Sequence, residues 1–311
     1  MILALLVQHA SAGNGPWVPG QGQLQMYAGV DAQRFERVKA YGLPDGPAEV
    51  TVGGGVSSFR GVLDLTYGIA SRTEVELVLP VQHAWAAHPE QDLCVAFGLG
   101  ACRPTTSVGV VETRAKVLLL DEVSGAPLSV AVGGVLRFGG LTAGTRERFT
   151  NAGEGTTDFG IRLSAGRSGA LGGGYYVTNL DLQGLYRVPN SRTFPNLAGD
   201  LTVPGPEVAA GLDLLVAPRQ SVALGPTVGV SARPMGLDIG EMLADGVTDV
   251  DRFTSLNYAQ ARAGGKLVLQ DPSYNSVTFS VVQAFYARNN PIDTLSFSAG
   301  VSLSNLLRSE R

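Results

Sequence analysis

From Leu295 to Ser304 the chain reads Leu-Ser-Phe-Ser-Ala-Gly-Val-Ser-Leu-Ser, with Leu295, Phe297, Ala299, Val301 and Leu303 alternating with small or polar residues. A period of two belongs to an extended strand whose two faces meet different surroundings. The same alternation returns along the whole chain. Leu63, Leu65 and Tyr67 alternate with Arg60, Asp64 and Thr66, and Val75, Leu77, Leu79 and Val81 with Glu74, Glu76 and Gln82. Val111, Ala115, Val117 and Leu119 alternate with Glu112, Arg114 and Lys116. Further runs are centred on Ile161, Leu182, Leu212 and Ala263. The pattern predicts about twelve strands of about 10–14 residues, the length of a tilted bilayer crossing. Strands of soluble proteins usually run about 5–6 residues.

Connection lengths point the same way. Short turns are expected at Ser71-Arg72, Ser124-Gly125-Ala126, Ser168-Gly169-Ala170, Pro218-Arg219 and Asp271-Pro272-Ser273, and a last short hairpin at Asn289-Asn290-Pro291. Longer loops are expected at 33–55, 86–107, 139–155, 189–205 and 234–254. Short periplasmic turns alternating with longer external loops are the habit of outer-membrane barrels. Hydrocarbon offers no partner to a backbone N–H or C=O, so an open sheet would leave two unpaired edges in lipid and closure removes both. Tyr67, Trp85, Phe138, Tyr176, Tyr186 and Phe285 fall near strand ends, where aromatic side chains suit the membrane interface. The other reading of these six is ordinary strand aromatics.

Composition narrows the class. Of 311 residues only 16% are charged, and 41 are glycine and 17 proline. A net charge of −4 argues against a nucleic-acid-binding chain, which is normally basic. No linker or compositional shift divides the chain, so one domain is expected. Met1–Val7 is a short apolar run followed by Ala10-Ser11-Ala12. This reads as a secretory signal over residues 1–12, ahead of a barrel over 13–311. The competing reading is a buried first strand. Cys94 and Cys102 are close in sequence, and in an exported chain they are expected to form a local disulfide. A zinc site with His83 or His88 would need further ligand motifs.

Three segments carry a family resemblance: TYGIASRTEVELVLPV (66–81), GEGTTDFGIRLSA (153–165) and PWVPGQGQLQ (16–25). They resemble outer-membrane barrels of the phenol degradation MetA-pathway group. The resemblance spans most of the chain after the signal and implies a porin-like or hydrophobic-solute channel. One departure is the end of the chain, Leu307-Arg308-Ser309-Glu310-Arg311, where many such barrels carry the terminal aromatic residue that the assembly machinery reads.

Little in the sequence points to catalysis, and no cofactor or metal is expected. His83 is expected on an outward face beside Trp85, and no Ser-centred motif accompanies it as an outer-membrane phospholipase would require. Gly53-Gly54-Gly55 and Gly172-Gly173-Gly174 lack the Lys-Ser/Thr of a phosphate loop and read as turn glycines. Asp238, Glu241, Asp245, Asp249 and Asp251 lack the spacing of a calcium loop and read as a solvated loop, or as one bridged to lipopolysaccharide through divalent cations. Met235, Leu237, Ile239, Met242 and Leu243 in the same loop would suit a short helix folded over the lumen.

The side chains expected to face the lumen are Arg60, Asp64, Glu74, Glu76, Glu112, Arg114, Lys116, Arg137, Asp158, Arg162, Asp181, Arg187, Glu207, Asp213, Arg262, Lys266 and Arg288. Their signs nearly balance, whereas a strongly ion-selective pore favours one sign. The expectation is a closed antiparallel transmembrane β-barrel that passes small, aromatic or apolar, solutes. Its partners would be outer-membrane lipid, lipopolysaccharide, the barrel-assembly machinery and the solute. The alternatives are a non-conducting barrel that docks an envelope assembly and a soluble β-sandwich.

Overall fold

The computed structural model describes residues 15–40, 48–87, 104–139, 157–188, 202–203, 205–219, 221–234, 238–239, 258–273, 275–288, 290–304 and 306. Twelve long strands make a closed antiparallel barrel. They are β1 (Leu24–Ala40), β2 (Ala48–Ala70), β3 (Thr73–Ala86), β4 (Val111–Leu120), β5 (Ser129–Phe138) and β6 (Thr157–Leu171). β7 (Gly174–Arg187), β8 (Glu207–Arg219), β9 (Val222–Arg233), β10 (Tyr258–Gln270), β11 (Ser276–Arg288) and β12 (Leu295–Leu303) complete it. Each strand pairs with its neighbours in sequence, and β12 closes on β1 from Met26 opposite Leu303 to Arg34 opposite Leu295. The five short connections of the β2–β3, β4–β5, β6–β7, β8–β9 and β10–β11 hairpins thus gather at one rim with the start of β1 and the end of β12, and the remaining connections at the other.

The barrel is inside-out relative to a soluble domain. Buried side chains include Asp64, Glu74, Glu112, Lys116, Arg137 and Arg162, while Val81, Leu119, Ile161, Leu212, Val230, Phe279 and Val301 are exposed on the outer wall. Soluble monomers rarely expose a contiguous apolar patch beyond a few hundred Å². A band of this kind all round a closed wall is the surface a bilayer core covers. Aromatic rings crowd the outer wall toward the long-loop rim, where Phe59, Trp85, Phe138, Tyr186 and Phe285 are exposed. Phe159 and Tyr186 face each other across β6 and β7 with centroids 5.1 Å apart. His83 lies outward beside Trp85, as the alternation of β3 places it, with ring centroids 5.3 Å apart, and shares a 2.7 Å hydrogen bond with Thr106.

Several element boundaries differ from the sequence reading. The expected loop 33–55 is largely strand, because β1 runs to Ala40 and β2 begins at Ala48. Gly54 and Gly55 are not hairpin turn residues. They form a bulge inside β2, with φ of 71° and 78° and a register shift opposite Phe35 and Arg37. The turn expected at Ser168-Gly169-Ala170 falls at Gly172-Gly173, where Gly172 has φ 57° and Leu171 pairs with Gly174. A two-residue hairpin with positive φ matches the strand twist, so the ladder runs on past Ser168. Pro218 and Arg219 are likewise strand, with Arg219 opposite Val222. Thr105–Val108 adds a short piece to the edge of β3, and Thr202–Val203 pairs with Asp238–Ile239. Met235, Leu237, Glu241, Met242, Leu243, Asp245, Asp249 and Asp251 lie outside the described residues, as do residues 1–12, Cys94 and Cys102.

The β10–β11 turn is held by one carboxylate. Asp271 accepts from the Ser273 and Asn275 backbone N–H groups at 2.8 and 2.9 Å and from Asn275 Nδ2 at 2.9 Å. The Asn275 side-chain bond, first among these, holds the Asp271 carboxyl below its ordinary pKa. A carboxyl lowered in the folded state stabilises above its unfolded pKa and loses that contribution as the pH falls. Asp271→Asn is therefore expected to flatten the fall in stability below about pH 4, measured as urea midpoints of the folded barrel. An unchanged slope would contradict the assignment.

Candidate functional site

The lumen is built from the inward residues of every strand, and its two halves differ. On β3–β8 the inward positions carry long charged side chains, most of them joined in one network with two further pairs beside it. Arg114 reaches Glu76 at 2.7 Å and Glu112 at 2.6 Å. Glu112 also holds Arg137 at 2.7 Å, and Arg137 extends to Glu207 at 3.4 Å. Arg162 contacts Asp181 at 3.0 Å and lies 3.8 Å from Glu76. Asp181 further accepts from Ser164 and, at 3.0 Å, from Asn179. Arg187 pairs with Asp158 at 3.4 Å and Lys116 with Glu74 at 2.9 Å. The Arg137–Glu207 and Arg162–Glu76 contacts each skip two intervening strands, so they bridge the interior and do not simply run along the wall.

On β9, β11 and β12 the inward positions are largely small, while β10 carries Lys266, Arg262 and Gln260. β9 turns Gly225, Thr227, Gly229 and Ser231 inward, opposite Lys266, Gly264, Arg262 and Gln260 of β10. β11 and β12 present Thr278, Ser280, Ser296, Ser298 and Gly300. Small residues here leave a cavity of about 130 Å³, lined also by Tyr27, Asp31 and Gln33 of β1, Arg60 of β2, Asn179 and Asp181 of β7 and Asp213 of β8. Within it Lys266 donates to Asp213 at 2.9 Å, Gln33 Nε2 donates to Asp31 at 2.7 Å, and the Ser280 and Ser298 hydroxyls lie 2.5 Å apart.

The segment before β1 lies inside the barrel near the short-turn rim. Lys116 Nζ donates to the Gly15 and Trp17 carbonyls at 2.8 and 3.1 Å, and Trp17 Nε1 donates to Glu122 Oε1 at 3.2 Å. Glu122 also accepts from the Ser168 N–H at 2.9 Å and hydroxyl at 2.7 Å. Gly166 makes room for Pro16 and Trp17. A Cβ at Gly166 would stand 2.8 Å from Trp17 Cη2 and 2.9 Å from Pro16 Cδ. At the opposite rim Arg233 stacks over Tyr258 with Cζ 5.3 Å from the ring centroid, and Gln260 donates to the Pro291 carbonyl at 2.8 Å.

Of the charged residues named from the alternation, the structure brings Asp64, Glu74, Glu76, Glu112, Arg114, Lys116, Arg137, Asp158, Arg162, Asp181, Arg187 and Glu207 to the crowded half, and Asp213, Arg262 and Lys266 to the cavity half. Arg60 also faces the cavity. Arg288 is the exception and corrects the sequence reading. The register of β10 with β11 jumps from Ala261 opposite Tyr286 to Arg262 opposite Ala284, so Phe285 is an extra residue. The extra residue reverses the alternation beyond it, and Arg288 lies exposed on the outer face opposite Ala259. Asp31, Gln33, Tyr27 and Arg233 were missed. The alternation of Tyr27, Gly29, Asp31 and Gln33 with Ala28, Val30 and Ala32 was there to find the first three, and that of Thr227, Gly229, Ser231 and Arg233 the last.

No protein-family model matches the chain, and no curated protein matches it. Among solved structures it is similar to the COG4313 outer membrane channel from Pseudomonas putida F1, at 15% identity and TM-score 0.68 over 96% of this chain and 100% of that one. LpxR from Salmonella typhimurium aligns at 8% identity and TM-score 0.45 over 89% and 99% of the two chains. The KdgM porin aligns at 9% identity and TM-score 0.36 over 88% and 97%. At these identities the first likeness speaks to the fold, a closed outer-membrane-type barrel.

Proposed function

We propose that the chain is an outer-membrane channel through which small solutes diffuse passively. The observation that carries this reading is the cavity along β9–β12, lined by hydroxyls, amides and charges as well as Tyr27, Val62 and Val282, inside a wall whose outer face is apolar. In this reading residues 1–12 are an export signal, residues 13–311 form the barrel, and Cys94 and Cys102 are joined in an external loop. Membrane lipid and lipopolysaccharide cover the outer face, and the barrel-assembly machinery inserts it. The named Pseudomonas putida channel agrees with such a role. Kinship with the phenol degradation group rests on the three sequence segments above. To the apolar solutes that kinship implies, the cavity offers the Tyr27 ring, Val62 and Val282 beside its hydroxyls, amides and charges.

The charged half acts as a fixed scaffold, and the small-residue half is the path. Because acids and bases balance around the lumen, the channel is expected to discriminate weakly between anions and cations. Arg114→Ala and Arg162→Ala each unbalance the network and are expected to change conductance or shift the reversal potential in a salt gradient. Unchanged values in both would contradict a lumen that carries current past these residues.

A further inference from the structure

We infer that the cavity between β1 and β9–β12 is a binding subsite for a small, uncharged, polyhydroxylated solute. The inference rests on the channel reading and adds to it the chemistry of what is held.

Four observations carry it. First, the cavity is bounded by donors and acceptors at close intervals: the hydroxyls of Thr227, Thr278, Ser280, Ser296 and Ser298, the Asn179 amide, and the ionic groups of the wall. Second, two of these side chains hold a polar atom with no partner among the described residues although each is only 7% exposed: Ser296 Oγ and Asn179 Oδ1. Both belong to the cavity lining, one from each side of it. A buried polar atom without a partner costs free energy that a ligand hydroxyl restores. Third, the lining is electroneutral. Asp31, Asp181 and Asp213 stand against Arg60, Arg262 and Lys266, and Asp213 and Asp181 are already paired with Lys266 and Arg162. An ion of either sign would compete with these pairs, whereas hydroxyl groups accept and donate without breaking them. Fourth, the room is built in. Gly29 and Gly300 lie where a Cβ would collide with the Tyr27 ring, so the ring packs against the wall. A side chain at either glycine would drive it toward the cavity.

The test uses D-arabinose as the probe and glycine betaine, a zwitterion, as the control. Binding to the full folded chain in detergent is measured by calorimetry, and block of the current by arabinose is measured in a planar bilayer. Ser296→Val and Asn179→Leu remove the two unpaired atoms at similar volume. Heat-modifiable migration on gels confirms that each variant is folded. Saturable arabinose binding is expected in the native chain, with a Kd about fivefold weaker in each variant, the worth of one hydrogen bond. Betaine is expected to show none. Absence of saturable arabinose binding, preference for betaine, or affinity unchanged in both variants would overturn the subsite. Calorimetry needs no current, so saturable binding with a silent bilayer would instead reject the channel reading while leaving the subsite standing.

Discussion

Glu112→Gln is expected to lower the stability of the barrel by about 3–5 kcal/mol, the cost of stripping one partner from a buried ionic network. Glu112 lies between two guanidinium groups, with Arg114 Nη2 at 2.6 Å and Arg137 Nε at 2.7 Å, and is 7% exposed. The amide keeps the shape and loses the charge, leaving the two cations facing each other in a poorly hydrated space. The urea midpoint of the lipid-reconstituted barrel reads the effect. A rim pair provides the contrast. Arg37 and Glu49 are 3.1 Å apart but 47% and 45% exposed, so Glu49→Gln is expected to cost about 0–1 kcal/mol. Equal midpoint shifts for the two variants would contradict a network that acts as scaffold.

The second large effect concerns the segment ahead of β1. Trp17→Ala removes both the ring seated over Gly166 and the bond to Glu122. Released from those contacts, Gly15–Pro19 no longer narrows the lumen at the short-turn rim, and single-channel conductance is expected to rise severalfold. Gly166→Leu approaches the same contact from the wall, because its side chain needs the space that Trp17 and Pro16 occupy. It is expected to produce the same rise. Agreement between the two would separate displacement of the segment from any local effect of losing a tryptophan. Conductance unchanged in both would mean that the segment lies aside from the conducting path.

How far the barrel could be read from sequence depends on which interactions repeat. The alternation of Leu295–Leu303 or Glu74–Gln82 is imposed by two unlike solvents acting on every second residue, so strand faces were legible one strand at a time. Arg288 was misassigned because a single extra residue at Phe285 reverses the alternation without leaving any mark in composition. Gly54 and Gly55 resemble turn glycines in sequence, and only their pairing opposite Phe35 and Arg37 makes them a bulge. The contacts of Arg137 with Glu207 and of Arg162 with Glu76 depend on barrel closure, which brings together strands far apart in sequence. Pro16-Trp17-Val18-Pro19 has no period at all, so its place inside the lumen came only with Lys116, Glu122 and Gly166 around it. The division into a crowded half and an open half was present as side-chain size, Arg and Glu on β3–β8 against Ser, Thr and Gly on β9, β11 and β12. It has meaning only once the strands are closed into one wall.

Single-channel recording of the folded, detergent-extracted chain in a planar bilayer is the most direct test of an open path along β9–β12. Discrete, reproducible steps with weak preference between anions and cations are the expected result. A silent bilayer with insertion confirmed would contradict it and leave a closed barrel that serves as an anchor for an envelope assembly.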